Sequence, residues 1–322
     1  MPNDMSAIPV PAQMLTDELQ RALRDAQAQV NALVLGKPVQ VRLAFVALLA
    51  GGHLLIEDLP GLGKTTLAHA LAATLGLDFS RVQFTSDLLP SDILGVSVYE
   101  AQARRFEFHP GPVFTHVLLA DEINRAPPRT QSALLEAMAE HQVSIDGQTR
   151  ALPDPFLVIA TQNPVDLSGT YPLPDSQLDR FLLRLALGYP DAAAERALLA
   201  GSDRRDLIAS LAPVLDAPRI LALRRAVPQV HAAEPLLDYV QDLVAATRSG
   251  RWFAQGLSPR AGIALVRAAK AQALIEGRDY VAPDDVQAVL PQTIAHRLQP
   301  VGEAGRGSVE QVRAMVESIP LP

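Results

Sequence analysis

The sequence predicts an α/β fold, a layered αβα sandwich around a parallel sheet, followed by an all-helical domain. Three observations predict it. Short apolar runs that read as strands alternate with helical spacings through the first part of the chain. One such run leads directly into a glycine-spaced loop, a lysine and a helix. Beyond Asp191 nothing strand-like follows, and only helical periodicity remains.

Taken in order, residues 1–15 carry three prolines and little periodicity, and read as a flexible tail. Leu19, Ala22, Leu23, Ala26, Val30 and Leu33 then recur at helical spacing, with Thr16 or Asp17 as N-cap and Gly36 as the stop. A second helical run, 39–49, leads to Gly51-Gly52 and a strand at 53–56. After it, Gly61 and Gly63 let the backbone turn its N–H groups inward toward an anion. The following helix adds the partial positive charge of its N-terminus. Lys64 has the reach for β- and γ-phosphates, and the Thr65 hydroxyl suits Mg²⁺. These features make Pro60, Gly61, Leu62, Gly63, Lys64, Thr65 and Thr66 the expected nucleotide-binding set, the phosphate loop of a P-loop NTPase. One residue departs from the G-x-x-x-x-G-K-[ST] pattern: Asp58 stands where the first glycine belongs.

A second strand is expected at 81–85, then a hairpin insertion over 86–112, since 95–99 and 105–108 alternate apolar and polar residues. The run at 117–120 is apolar on both faces, as a central parallel strand should be, and ends in Asp121-Glu122. Placed there, Asp121 would hold Mg²⁺ directly or through water, and Glu122 would polarise an attacking water. A strand that merely ends in polar residues would look the same, and the phosphate loop is what favours the chemical reading. Pro127 and Pro128 start a helix to about 141, and Asp146-Gly147 marks a small hairpin at 142–153. A strand at 156–160 ends near Asn163, which would orient water toward the γ-phosphate, or which, ahead of Pro164, simply forms a turn. Arg180 and Arg184 precede a last strand at 185–187, and an arginine there is either solvated or offered to a neighbouring subunit.

Helical segments are expected at 193–199, 218–227, 235–248, 260–276 and 284–290, with 200–217 as the loosest stretch. Arg260 opens one of them. A cation there opposes the helix dipole and asks for an anionic partner, which a nearby carboxylate would also supply. The domain reading is therefore a tail at 1–15, an ATPase core at 16–190 and a linker with helical lid at 191–322.

Of the 322 residues 48% are hydrophobic and 20% charged, which fits a globular chain and excludes a disordered one. The net charge of −7 lacks the basic footprint of a duplex-binding protein. Without cysteine there are no disulfides or thiolate metal sites. No run approaches the roughly 18 apolar residues of a membrane span, and a cytoplasmic location is the expectation.

The segments LLIEDLPGLGKT, VLLADEINRAPPRTQSALLEAM, IATQNP followed by GTYPLPDSQLDRFL, and GLSPRA stand in an order that resembles the MoxR family of AAA+ ATPases, over about residues 18–310. The resemblance implies ATP and Mg²⁺ as ligands, assembly into a ring, usually of six, and an αβα core with a helical lid and the nucleotide at their junction. By position, Lys64 and Thr65 match Walker A, Asp121 and Glu122 Walker B, Asn163 sensor 1, Arg180 the arginine finger and Arg260 sensor 2. Leu35-Gly36 falls where the family's backbone meets adenine. The function implied is chaperone-like remodelling, maturation or metal insertion of a client, with a von Willebrand factor A domain partner. Two rivals stand beside it: a nucleic-acid motor using Arg104 and Arg105, and a nucleotide-gated scaffold without turnover.

Overall fold

The computed structural model describes residues 16–321 apart from 103, 165–168, 202–203 and 303–306; the expected tail lies outside them. Thr16 caps α1 (Asp17–Leu33) by accepting the Leu19 amide at 3.3 Å. Gly36, at φ 71°, turns the chain into α2 (Pro38–Leu49), which is apolar nearly all round and correspondingly buried. Next come β1 (Leu54–Glu57), α3 (Lys64–Thr74) and β2 (Phe79–Gln83). The insertion contributes α4 (Pro90–Leu94) and the antiparallel hairpin β3 (Gly95–Glu100) with β4 (Arg105–Pro110). The core continues with β5 (Val117–Asp121), α5 (Pro128–Glu140), the hairpin β6 (Gln142–Ile145) and β7 (Gln148–Ala151), β8 (Leu157–Gln162), α6 (Asp175–Leu178) and β9 (Leu183–Leu185). The remainder holds α7 (Ala192–Ala200), α8 (Arg204–Ala209), α9 (Ala217–Ala226), α10 (Glu234–Arg248), β10 (Phe253–Gln255), α11 (Pro259–Ile275), α12 (Pro283–Ile294), β11 (Gln299–Pro300) and α13 (Val309–Glu317).

Five parallel strands form the central sheet in the order β2-β5-β8-β1-β9. Both faces are covered, so the central strands are apolar at every position. Leu54 and Ile56, Val117 and Leu119, Leu157 and Ile159 enter the core on one side, with α1, α2, α3 and the lid. Leu55, Leu118 and Val158 enter the other, against α5 and Phe84, Phe156 and Phe181. Each buried Leu, Ile or Phe contributes about 1.5–3 kcal/mol. Because β1 is flanked by β8 and β9, the chain changes direction across the sheet beside it. A ligand crevice is expected at the carboxyl ends of the strands there.

The helical part is seated on the core through α11, whose alanine-rich face (Ala261, Ala264, Ala268, Ala271) is buried. Arg224 donates to the Leu48 carbonyl at 2.8 Å, and Arg297 to Asp179 and the Phe181 carbonyl at 2.7 and 3.0 Å. No helix among the described residues is long and apolar enough to cross a membrane.

Several sequence expectations shift. The second strand begins at Phe79 rather than 81, because its ladder to β5 runs from Phe79↔Val117 to Gln83↔Asp121. As an edge strand it shows little apolar alternation from which to read the register. The last core strand is at 183–185, not 185–187; leucines on both sides of Arg184 hide the register, and the pairing Leu54↔Leu183 sets it. Arg184 therefore lies within the strand. In the stretch expected to be loose, α8 forms by burying Ile208. The short antiparallel pair β10–β11 adds strand to the lid, through segments too short for a sequence pattern to flag. The Val309–Glu317 helix, with Ser308 as its cap, was likewise not among the expected segments.

His53, at the head of β1, is fully buried. Its Nε2 donates to the Met138 carbonyl at 3.1 Å while Nδ1 accepts the Val158 amide at 3.0 Å. That pair of bonds requires the neutral ring. Burial above all, with His141 and nearby arginines adding to it, pushes the pKa down to about 3. As pH falls below the ordinary 6.5 the unfolded chain takes up this proton and the folded chain does not, so stability drains away over the window from there toward 3. Between pH 7 and 5 the loss is about 2 kcal/mol. Glutamine at this position keeps one donor and one acceptor without titrating. In urea titrations His53→Gln is expected to reduce the acid-induced loss by about that amount; equal losses in both proteins would acquit His53.

Candidate functional site

The phosphate loop leaves β1 at Glu57 and enters α3 at Lys64. Gly61 and Gly63 adopt φ of 82° and 92° in open surroundings, so conformation rather than crowding requires glycine there. Gly63 is the N-cap of α3 and offers no side chain to its first amides. Lys64 Nζ donates to the carbonyls of Asp58 and Leu59, both at 2.8 Å, folding its ammonium across the loop.

A cavity of about 360 Å³ opens beside this loop, a size suited to a small-molecule site. Parallel pairing brings the other predicted residues to it. Pro60, Gly61, Gly63, Lys64, Thr65 and Thr66 line one side, Asp121 and Glu122 come from the end of β5, and Asn163 from the end of β8. Leu62 belongs to the loop without lining the cavity. Leu35 and Gly36 do not line it either; a Cβ built on Gly36 would lie 2.9 Å from that of Ala194, so the α1–α2 turn is pressed against α7.

Asp121 Oδ1 accepts the Thr161 hydroxyl at 2.6 Å, and Oδ2 accepts Arg81 at 2.7 Å. Thr161 Oγ1 in turn accepts the Glu122 amide at 2.9 Å. Glu122 sits at φ 57°, an uncommon conformation for a residue with a side chain, and its carboxylate pairs with Arg125 at 2.6 Å. Sequence reasoning missed Arg81, Thr161 and Gln162 as cavity residues. Gln162 Nε2 is buried there without an acceptor, a donor that an anionic oxygen would satisfy. The Thr65 hydroxyl and Asp121 carboxylate are hard oxygen donors on this same cavity, which fits Mg²⁺ held largely through phosphates and water. No cluster of three or more His, Asp or Glu suited to a metal occurs among the described residues.

Arg180 and Arg260 lie elsewhere. Both line a second cavity of about 280 Å³, with Gly51, Gly52 and His53 ahead of β1 and Leu182 ahead of β9. It shares no lining residue with the first. The two cavities flank opposite ends of β1, which at about 3.3 Å per residue holds them apart. Arg180 donates to the Leu135 carbonyl at 3.2 Å, and Arg267, one face of α11 along from Arg260, lines the cavity as well. Partial desolvation lowers the pKa of the Arg267 guanidinium. Asp179 is the one carboxylate in the lining, and Arg297 engages it. The cavity is therefore rich in cations that call for an anion. Arg184, by contrast, is committed within its own chain, to Glu57 at 3.3 Å and the Gly307 carbonyl at 2.9 Å.

Comparison with known proteins agrees with this architecture. Residues 53–183 match the family described as ATPases associated with various cellular activities, and 245–319 match the AAA lid domain. The chain is 45% identical to YeaC of Bacillus subtilis, a protein without an assigned function, over 95% of this chain and 97% of that one. It is 42% identical to the chaperone MoxR1 of Mycobacterium tuberculosis, over 86% and 75% of the two chains. A crystal structure of a protein assigned as an ATPase from Cytophaga hutchinsonii superposes with a TM-score of 0.84 at 36% identity, covering 94% and 96%. Similarity to the Holliday junction branch migration subunit RuvB of Nostoc punctiforme reaches 33% but spans only 29% of this chain and 22% of that one.

Proposed function

Because the chain belongs to the MoxR family of AAA+ ATPases, we propose that it hydrolyses ATP at sites shared between neighbouring copies and uses the cycle to remodel other proteins. One observation carries the reading: the arginines at 180 and 260 lie at the opposite end of β1 from Lys64, Thr65, Asp121, Glu122 and Asn163. A single chain cannot bring both sets to one γ-phosphate, whereas head-to-tail neighbours can.

In this reading the triphosphate enters the loop, draws Lys64 from the carbonyls of Asp58 and Leu59, and is met by the first amides of α3. Thr65 and Asp121 hold Mg²⁺, which supplies charge neutralisation on the phosphates. Glu122 polarises the attacking water and Asn163 orients it. Arg180 and Arg260 of the adjacent copy stabilise the charge that develops in transfer. No covalent intermediate is needed, since phosphoryl transfer to water depends on positioning and electrostatics. Loss of the γ-phosphate then moves lid against core. The ring, six copies in the family resemblance, acts with a von Willebrand factor A domain partner on a client, as a chaperone or in metal insertion. The relative described as a chaperone supports this over a nucleic-acid motor, for which the RuvB similarity is partial and the net charge of −7 unfavourable.

Turnover per chain is expected to rise with protein concentration over the range in which sedimentation shows assembly, and to collapse on dilution. Full turnover from a sedimentation-verified monomer would overturn the shared site. Absence of ATP-dependent phosphate release at every concentration would favour the scaffold.

A further inference from the structure

Asp58 occupies the place where the phosphate-loop pattern has glycine, yet its backbone does not need one: it is absent from the residues at positive φ among those described. Its carboxylate is buried, with the residue 8% exposed, and is used twice. Oδ1 accepts the Leu59 amide at 2.9 Å, within the loop. Oδ2 accepts the Gly188 amide at 2.6 Å, across the fold. Gly188 belongs to the linker that leaves β9 at Leu185 and enters α7 at Ala192. That linker is held at two more points, the Tyr189 carbonyl by Lys37 Nζ at 2.6 Å and the Ala186 carbonyl by Gln40 at 3.3 Å. Lys37 and Gln40 stand at the start of α2, just past the Leu35-Gly36 turn that packs on α7.

Asp58 thus faces two ways. Its backbone carbonyl accepts the ammonium of Lys64, the group that meets phosphate, while its carboxylate grips the segment leading to the lid. We propose that Asp58 is a positioning residue that couples occupancy of the phosphate loop to the linker ahead of the lid, so that withdrawal of Lys64 by a nucleotide phosphate is felt at Gly188. The inference rests on the nucleotide reading of the loop and adds to it the route by which binding reaches the lid. A glycine at 58 would leave the anion-binding amides of Gly61, Gly63 and α3 in place and remove both carboxylate bonds, the local one to Leu59 and the bridge to Gly188. Asparagine would keep one acceptor and turn an NH₂ toward one of the two amides, breaking one of the two bonds.

The test restores the common motif with Asp58→Gly and reads three quantities on the full chain: affinity for a fluorescent ADP analogue, steady-state turnover, and hydrogen exchange of residues 186–194 with and without nucleotide. Expected are an affinity within about threefold of wild type, turnover reduced at least about tenfold, and loss of the nucleotide-dependent change in exchange that the wild type shows. Thermal melts report folding; if the glycine variant does not fold, Asp58→Asn carries the same measurements, with weakening of the same exchange response expected. Wild-type turnover with an intact exchange response in either variant would overturn the coupling role. So would a folded variant that has lost nucleotide affinity, since Asp58 would then serve the loop itself. A wild type that binds the analogue yet shows no change at 186–194 sinks the coupling alone, whereas a wild type that binds no nucleotide sinks the nucleotide reading with it.

Discussion

Arg180→Ala is expected to lower steady-state phosphate release by roughly 10³–10⁵-fold, the range for arginines that serve a neighbour's γ-phosphate, while ATP affinity stays near wild type. The side chain lies outside the cavity lined by Lys64, Asp121 and Asn163 of its own chain, so none of the residues proposed to grip nucleotide there is removed. It is also exposed and makes a single bond, to the Leu135 carbonyl, so the fold should tolerate its loss. The mixing experiment is sharper. Arg180→Ala copies keep Glu122, and Glu122→Gln copies keep Arg180, so two inactive proteins combined in equal amounts should regain activity. Random head-to-tail mixing completes about one site in four. No recovery on mixing, or wild-type turnover from Arg180→Ala alone, would remove the trans role.

For Glu122→Gln the expected result is retention of ATP with phosphate release slowed by about 10²–10⁴-fold, the usual worth of a positioned general base. Asp121, Thr161 and the glycine loop still line the cavity proposed for nucleotide, so the variant should elute as an assembly with ATP unhydrolysed. The amide also loses the charge that pairs with Arg125 at 2.6 Å. Normal phosphate release from this protein would take Glu122 out of the mechanism.

The sequence made some of this legible and hid the rest for identifiable reasons. The strand, loop and helix at 54–74 could be read because their parts are contiguous: strand, glycines, lysine and helix lie within one short stretch. Asp121-Glu122 could be read because an apolar strand ends there. Arg81 could not. Its position depends on β2 lying beside β5 with Gln83 opposite Asp121, a register that an edge strand does not announce. Thr161 and Gln162 sit next to the flagged Asn163, but only strand alternation combined with the sheet order reveals which of them reaches Asp121. Arg180 and Arg260 were each singled out separately, whereas their convergence on one cavity is a product of how α11 packs on the core. Asp58 departs from a motif, and its buried carboxylate accepts the amide of Gly188, far along the chain.

The separation of the two cavities bears on how copies count. In an open row, the copy at one end would hold a pocket that no arginine serves, and the copy at the other would present arginines with nothing to act on. Such a row has one fewer working pocket than it has members; joining its ends supplies the missing one through the same contact already repeated along it. Specific turnover would then report the proportion of closed assemblies in a preparation, and a single impaired member would silence either its own pocket or the one beside it, according to which edge carries the lesion.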